Sequence, residues 1–169
     1  MNPRILGPSA IGQSGGKLRK YISKSPDDTK EIGFKLGKLL RAGDVVGLFG
    51  ELGSGKTTLV KGLAKAFGIE ERDIMSASFT IISEYDTTPP FLHIDLYRIE
   101  RDSELDEVGF WDHMLGDGIA VIEWADRAGK NVPEEMIKIR LKFLSEEIRE
   151  ITVEGKDAKD RDNLQDRNF

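Results

Sequence analysis

The chain has 169 residues and no cysteine, a length suited to one domain with a real core and hardly to two. Charged residues make up 33% and apolar residues 38%, against roughly 25% charged in an average globular domain, which reads as a soluble protein with a well-solvated surface. Disulfides, thiolate metal sites and cysteine nucleophiles are excluded, and no apolar run approaches the roughly 20 residues that span a bilayer. With no signal-peptide core at the N-terminus, the expected location is the cytoplasm, away from any membrane.

Charge is uneven. Residues 1 to 24 carry five basic side chains and no acid, and 155 to 169 balance four of each, so a net charge of −5 leaves residues 25 to 154 at −10. Such a body repels a polyanion, so the chain is not expected to bind DNA, and contact with RNA calls for the N-terminal arm or a more basic partner. The Gly/Ser-rich "GPSAIGQSGGK" makes residues 1–17 read as a flexible N-terminal segment. Residues 18–154 then form the domain, and 155–169 a polar tail.

In chain order, a strand over 18–23 leads to "SPDDTKEIGFKLGKLLRAG". Ser25 is placed to cap a helix, Pro26 to open it, and Asp27 and Asp28 to meet its positive end. Ile32, Leu36, Leu39 and Leu40 form its apolar stripe, and Gly43 is expected to close it. "DVVGLFG" reads as a buried strand running into a glycine loop, with a helix from Thr57 to Phe67 ended by Gly68. "FTIISEYD" and "FLHIDLYR", joined by "TTPP", predict an antiparallel hairpin, because a parallel pair needs a crossover of a dozen or more residues. "SELDEVGFWDHM" predicts one helix with Leu105, Val108 and either Trp111 or Met114 turned inward. "GIAVIEW" reads as a buried strand, and "MIKIRLKFL" with "REITVEG" as a hairpin with one solvated face. The sum is an α/β domain of P-loop NTPase type, a mixed central sheet flanked by helices.

The loop carries the strongest chemical signal. Gly50, Gly55, Lys56 and Thr57 satisfy G-x-x-x-x-G-K-[S/T], with a strand before and a helix after. Gly50, Glu51, Leu52, Gly53, Ser54 and Gly55 would wrap phosphate oxygens with backbone N–H groups, and the helix starting at Lys56, Thr57 and Thr58 adds its dipole. Lys56 is expected on the β and γ phosphates and Thr57 on Mg²⁺. No N-K-x-D segment is present to read guanine, so ATP is the expected nucleotide. Asp95 and Glu123, at the ends of buried strands, are the acids for metal binding and catalysis; the sequence leaves their division of labour open. Structural alternatives are ion pairs of Asp95 with Arg98 and of Glu123 with Arg127. His93, two residues before Asp95 on the same strand face, reads equally as a contact to a phosphate or a partner, or as a hydrogen-bonded structural histidine. Tyr97 and Trp124 either cover the nucleotide or fill the core, with the core preferred for Tyr97. Ser76, Ser78 and Thr80 either sense the γ-phosphate or turn the chain.

The order "SPDDT", "GDVVGLFGELGSGKTTLVKGLA", "SFTIISEY", "HIDLYR", "VIEWADR", "PEEMIKIRL" resembles the TsaE family, also called YjeE, over about residues 20 to 153. The resemblance implies the small ATPase of bacterial tRNA threonylcarbamoyladenosine (t6A) synthesis. It further implies ATP and Mg²⁺ as cofactors, the TsaB–TsaD heterodimer as partner, and tRNA reached only through that complex, which modifies adenosine 37. Carried across, the nucleotide loop is Gly50 to Thr58, the second-motif aspartate is Asp95, the catalytic or metal-associated glutamate is Glu123, and the motif tryptophan is Trp124. The family's S-P-T-F-T switch stands here as Ser76, Ala77, Ser78, Phe79, Thr80, keeping the hydroxyl and losing the proline's restraint. A small-molecule kinase and a non-catalytic nucleotide-binding module are the rival readings. No arginine-rich lid or second-substrate domain supports the first.

Overall fold

In the computed structural model, residues 17–75, 80–114 and 116–155 are described. The elements run β1 (Lys17–Ser23), α1 (Pro26–Gly37), β2 (Val45–Phe49), α2 (Lys56–Lys65), β3 (Ile82–Tyr85), β4 (Phe91–Asp95), α3 (Asp102–Glu107), α4 (Phe110–Met114), β5 (Ile119–Glu123), β6 (Ile137–Phe143) and β7 (Arg149–Gly155). All seven strands join one sheet in the order β1-β7-β6-β2-β5-β4-β3. β2 runs parallel to β5 on one side and β6 on the other, and β5 runs parallel to β4. The β3/β4, β6/β7 and β1/β7 pairs are antiparallel, so both expected hairpins form.

Burial explains the layers. Every residue of β4 and β5 is buried, as expected of strands covered on both faces. Alternate side chains serve different cores: Val121 joins Leu48, Leu59, Leu63 and Ile139 under α1 and α2, while Ile122 joins Ile94, Leu105, Phe110 and Ala125 under α3 and α4. Each fully buried Leu or Ile contributes about 1.5–3 kcal/mol relative to exposure. The expected fold class, a mixed sheet with flanking helices, is the one observed.

α1 begins as its sequence dictates. The Ser25 hydroxyl accepts from Asp28 N at 3.0 Å, Asp28 accepts in turn from Lys24 N at 3.0 Å, and Pro26 opens the first turn. α1 then lies on α2 almost backbone to backbone. A Cβ at Gly62 would stand 2.1 Å from Lys30 O, and one at Gly33 2.5 Å from Leu59 O.

Three boundaries differ from expectation. α1 stops at Gly37, not Gly43, because Leu39 N and Leu40 N bond back only three residues, to Leu36 O and Gly37 O. Gly43 instead sits in the following turn, where Asp44 Oδ2 accepts from Arg41 N at 2.7 Å. α2 stops at Lys65, short of Phe67, and closes through Gly68 N to Lys65 O and Ile69 N to Ala64 O, the bond pair of a Schellman ending. The single helix expected over 103–114 is two, α3 and α4, parted at Gly109. The break turns Phe110 fully inward, and Leu105 is buried while Val108, Trp111 and Met114 pack at the margin.

Candidate nucleotide site

The parallel arrangement brings the ends of β2, β4 and β5 together, the usual place for a ligand in an open α/β sheet. From β2 the chain enters the loop 50–55. A side chain on Gly50 would meet Leu141 O at 2.6 Å and Ser54 Oγ at 2.7 Å. Gly55 caps α2 in a left-handed conformation (φ 102°), which favours glycine.

Lys56 is buried and curls over its own loop. Its Nζ donates to Gly50 O at 2.6 Å and Glu51 O at 2.8 Å, lies 3.4 Å from Ser54 Oγ, and sits 3.8 Å from the centre of the Trp124 ring. Burial pushes its pKa below the ordinary lysine value, opposed by the charges of Glu123, Asp126 and Asp95.

The Thr57 hydroxyl donates to Glu123 Oε2 at 2.9 Å, and the other carboxylate oxygen, Oε1, lies 2.8 Å from His93 Nε2. His93 and Glu123 are each 2% exposed. Glu123 is therefore engaged by His93 and Thr57, and Arg127 is occupied elsewhere, donating to Tyr97 O and to Ile99 O. His93 is the hydrogen-bonded histidine of the two readings.

Asp95 faces Glu123 across the β4/β5 register, and its Oδ1 accepts from Tyr97 N at 3.0 Å. Trp124 is the one non-glycine residue with positive φ (57°) among the described residues. Its ring packs on Tyr97, centroids 5.2 Å apart, and the Arg127 guanidinium lies 5.4 Å from one ring and 5.3 Å from the other. Tyr97 is 44% exposed, so it walls the site and does not fill the core as preferred from the sequence.

These groups surround a cleft of about 410 Å³ lined also by Leu52, Gly53, Thr58 and Arg98. The loop residues, Lys56, Thr57, Thr58, Asp95, Glu123 and Trp124 all border this cleft or contact Lys56 at its base; His93 stands behind Glu123, Thr80 does not line the cleft, and Ser78 with Ser76, Ala77 and Phe79 lies outside the described residues. Sequence reasoning missed Arg127 as a support for Trp124; a cation three residues after a motif aromatic was its only signal.

The donor set fits a magnesium nucleotide. Thr57, Asp95 and Glu123 offer hard oxygen ligands beside a loop built for phosphate, the pattern by which Mg²⁺ is held jointly by protein and substrate. Among the described residues no three His, Asp or Glu side chains form a metal site of their own. Chemically the arrangement can cradle a phosphate chain, neutralise it with Lys56 and hold a water near a carboxylate.

A family profile described as "Threonylcarbamoyl adenosine biosynthesis protein TsaE" matches residues 23–151. The chain is 39% identical over 134 residues to the Treponema pallidum (strain Nichols) tRNA threonylcarbamoyladenosine biosynthesis protein TsaE, covering 79% of this chain and 98% of the relative. The protein of the same name from Bacillus subtilis (strain 168) is 39% identical over 137 residues, covering 80% and 85%. A crystal structure of Bacillus subtilis YdiB superposes with a TM-score of 0.68 at 34% identity, covering 89% of this chain and 93% of that one. The chain belongs to the TsaE family.

Proposed function

We propose that this chain is the ATP-hydrolysing subunit of the machinery that makes t6A at position 37 of tRNA, acting in the cytoplasm on a TsaB–TsaD heterodimer and supporting its repeated turnover. The observation that carries the reading is the Lys56–Thr57–Glu123 cluster at the loop, with Asp95 in register beside it. Membership of the TsaE family supports the pathway.

A bound Mg²⁺ would supply charge neutralisation to the phosphate chain. Lys56 Nζ, now on the carbonyls of Gly50 and Glu51, would turn to phosphate oxygens, and Thr57 and Asp95 would hold the metal through their oxygens. Glu123, held at one oxygen by His93, orients the attacking water with the other. The Tyr97–Trp124–Arg127 stack shields the site on the β4/β5 side. An acidic body suits a subunit whose tRNA is held by its partners.

The test is ATP hydrolysis by the chain alone, and with a TsaB–TsaD dimer plus tRNA, beside Lys56→Ala. Slow turnover alone, stimulated by the dimer and lost in the variant, is expected. Equal rates with and without the dimer would overturn the coupling.

A further inference from the structure

The geometry points to the ends of β6 and β7, through Phe143 and Arg149, as the sugar-and-base side of the nucleotide site. This assignment rests on the nucleotide reading above and adds residues that no motif marks.

The argument starts from the sheet order. β2 has two neighbours, β5 with Glu123 and β6. On the nucleotide reading Lys56, Thr57 and Glu123 hold the terminal phosphate on the β5 side, where Trp124 covers Lys56 and stacks with Arg127. A phosphate chain lying in the loop must then leave toward β6.

There the strand ends present a cation and a ring. Phe143 closes β6, Arg149 opens β7, and the two are paired in register. The Phe143 ring tip comes within 3.9 Å of where a Cβ on Gly53 would stand, and Arg149 Nε within 3.6 Å of the same point on Gly55. The Arg149 guanidinium lies 4.9 Å from the Phe143 ring centre, and its one hydrogen bond among the described residues goes to Glu146 O at 3.3 Å. Phe143 is 37% exposed, and Leu52, next to Gly53 on the loop, is 69% exposed.

A surface Arg–Phe pair that merely steadies the hairpin would not need to abut two glycines of a phosphate loop. Placed there, the guanidinium reaches the phosphate nearest the ribose, and the ring with Leu52 offers an apolar seat for a purine face.

Calorimetric binding of MgATP and of inorganic triphosphate separates the two ends of the ligand. Phe143→Ala should weaken ATP about tenfold, the size of one lost base-stacking contact, while leaving inorganic triphosphate within about twofold. Phe143→Tyr should bind ATP as the wild type does, and Arg149→Ala should weaken both ligands. Lys56→Ala should lose both. Unchanged ATP affinity in Phe143→Ala, or equal losses for the two ligands, overturns this assignment alone. A wild-type chain that binds neither ligand overturns the nucleotide reading with it.

Discussion

Glu123 Oε2 accepts a hydrogen bond from the Thr57 hydroxyl at 2.9 Å, tying the end of β5 to the first turn of α2. Because Oε1 is held by His93, the carboxylate is fixed at both ends in a site with almost no solvent contact. Glu123→Gln preserves the shape and removes the charge. Nucleotide affinity should stay within about threefold while hydrolysis falls by roughly 10²–10⁴, as for a lost general base, measured in single-turnover assays. Full activity in the Gln variant would move the water-orienting role to Asp95. Glu123→Ala should in addition cost about 1–3 kcal/mol of stability, since it strands His93.

Lys56 sets stability against binding. Its pKa is lowered chiefly by burial, so the folded chain gives up that proton at a lower pH than the unfolded chain. In the alkaline window between the lowered value and the ordinary lysine value of 10.5, the unfolded state binds more protons, and Lys56 therefore makes stability rise with pH. Lys56→Met should be at least as stable as the wild type at pH 7, lack that alkaline gain, and lose nucleotide affinity by about 100-fold or more, as expected when two charge-assisted bonds worth about 1.5–3 kcal/mol each are removed. Thermal melts from pH 7 to 10 with parallel calorimetry check both halves.

Gly62→Ala puts a methyl group into the Lys30 carbonyl at 2.1 Å, a backbone contact that cannot rotate away. Overpacking of this kind costs about 1–3 kcal/mol, or roughly 2–4 °C of Tm for each kcal/mol in a domain of this size. Gly43→Ala is the contrast. Nothing lies within 4 Å of its Cβ position, and its φ of +85° alone should cost about 1–2 kcal/mol. Chemical denaturation compares the two; the Gly62 variant alone should also weaken nucleotide binding.

Glu71 joins α1 to α2 from outside, with Lys30 Nζ at 3.1 Å and Lys61 Nζ at 3.5 Å. The Lys30 hydrogen bond holds its carboxyl below the usual range. A depressed carboxyl contributes stability above its unfolded pKa, ordinarily 4.5, and loses it as pH falls through the folded value. Glu71→Gln should therefore melt below the wild type at pH 7, and the two curves should converge as the pH falls below the ordinary carboxylate range, or in about 1 M salt, where exposed pairs are screened.

The sheet was legible because its strands carry their own grammar. β5 is apolar up to Glu123 and is buried at every position, and the short links before β4 and β7 force hairpins. The loop was legible because glycine spacing and a lysine are local. Helix ends were less so: Leu39 and Leu40 continue the apolar stripe of α1, yet their amides bond back only three residues, a tightening that periodicity does not encode. Glu123's partners were hidden for another reason. His93 sits 30 residues away and Thr57 66, and only the placing of β5 between β2 and β4 makes them neighbours.

The contact between Lys30 O and Gly62 has a mechanical meaning. α2 starts at the loop lysine, and at Gly33 and Gly62 α1 meets it backbone to backbone, with no side chain at those two positions to cushion the contact. A tilt at the phosphate end of α2 should therefore be felt by α1 at once, as through a lever with little play. The surface of α1 is thus a second face on which occupancy of the loop should register.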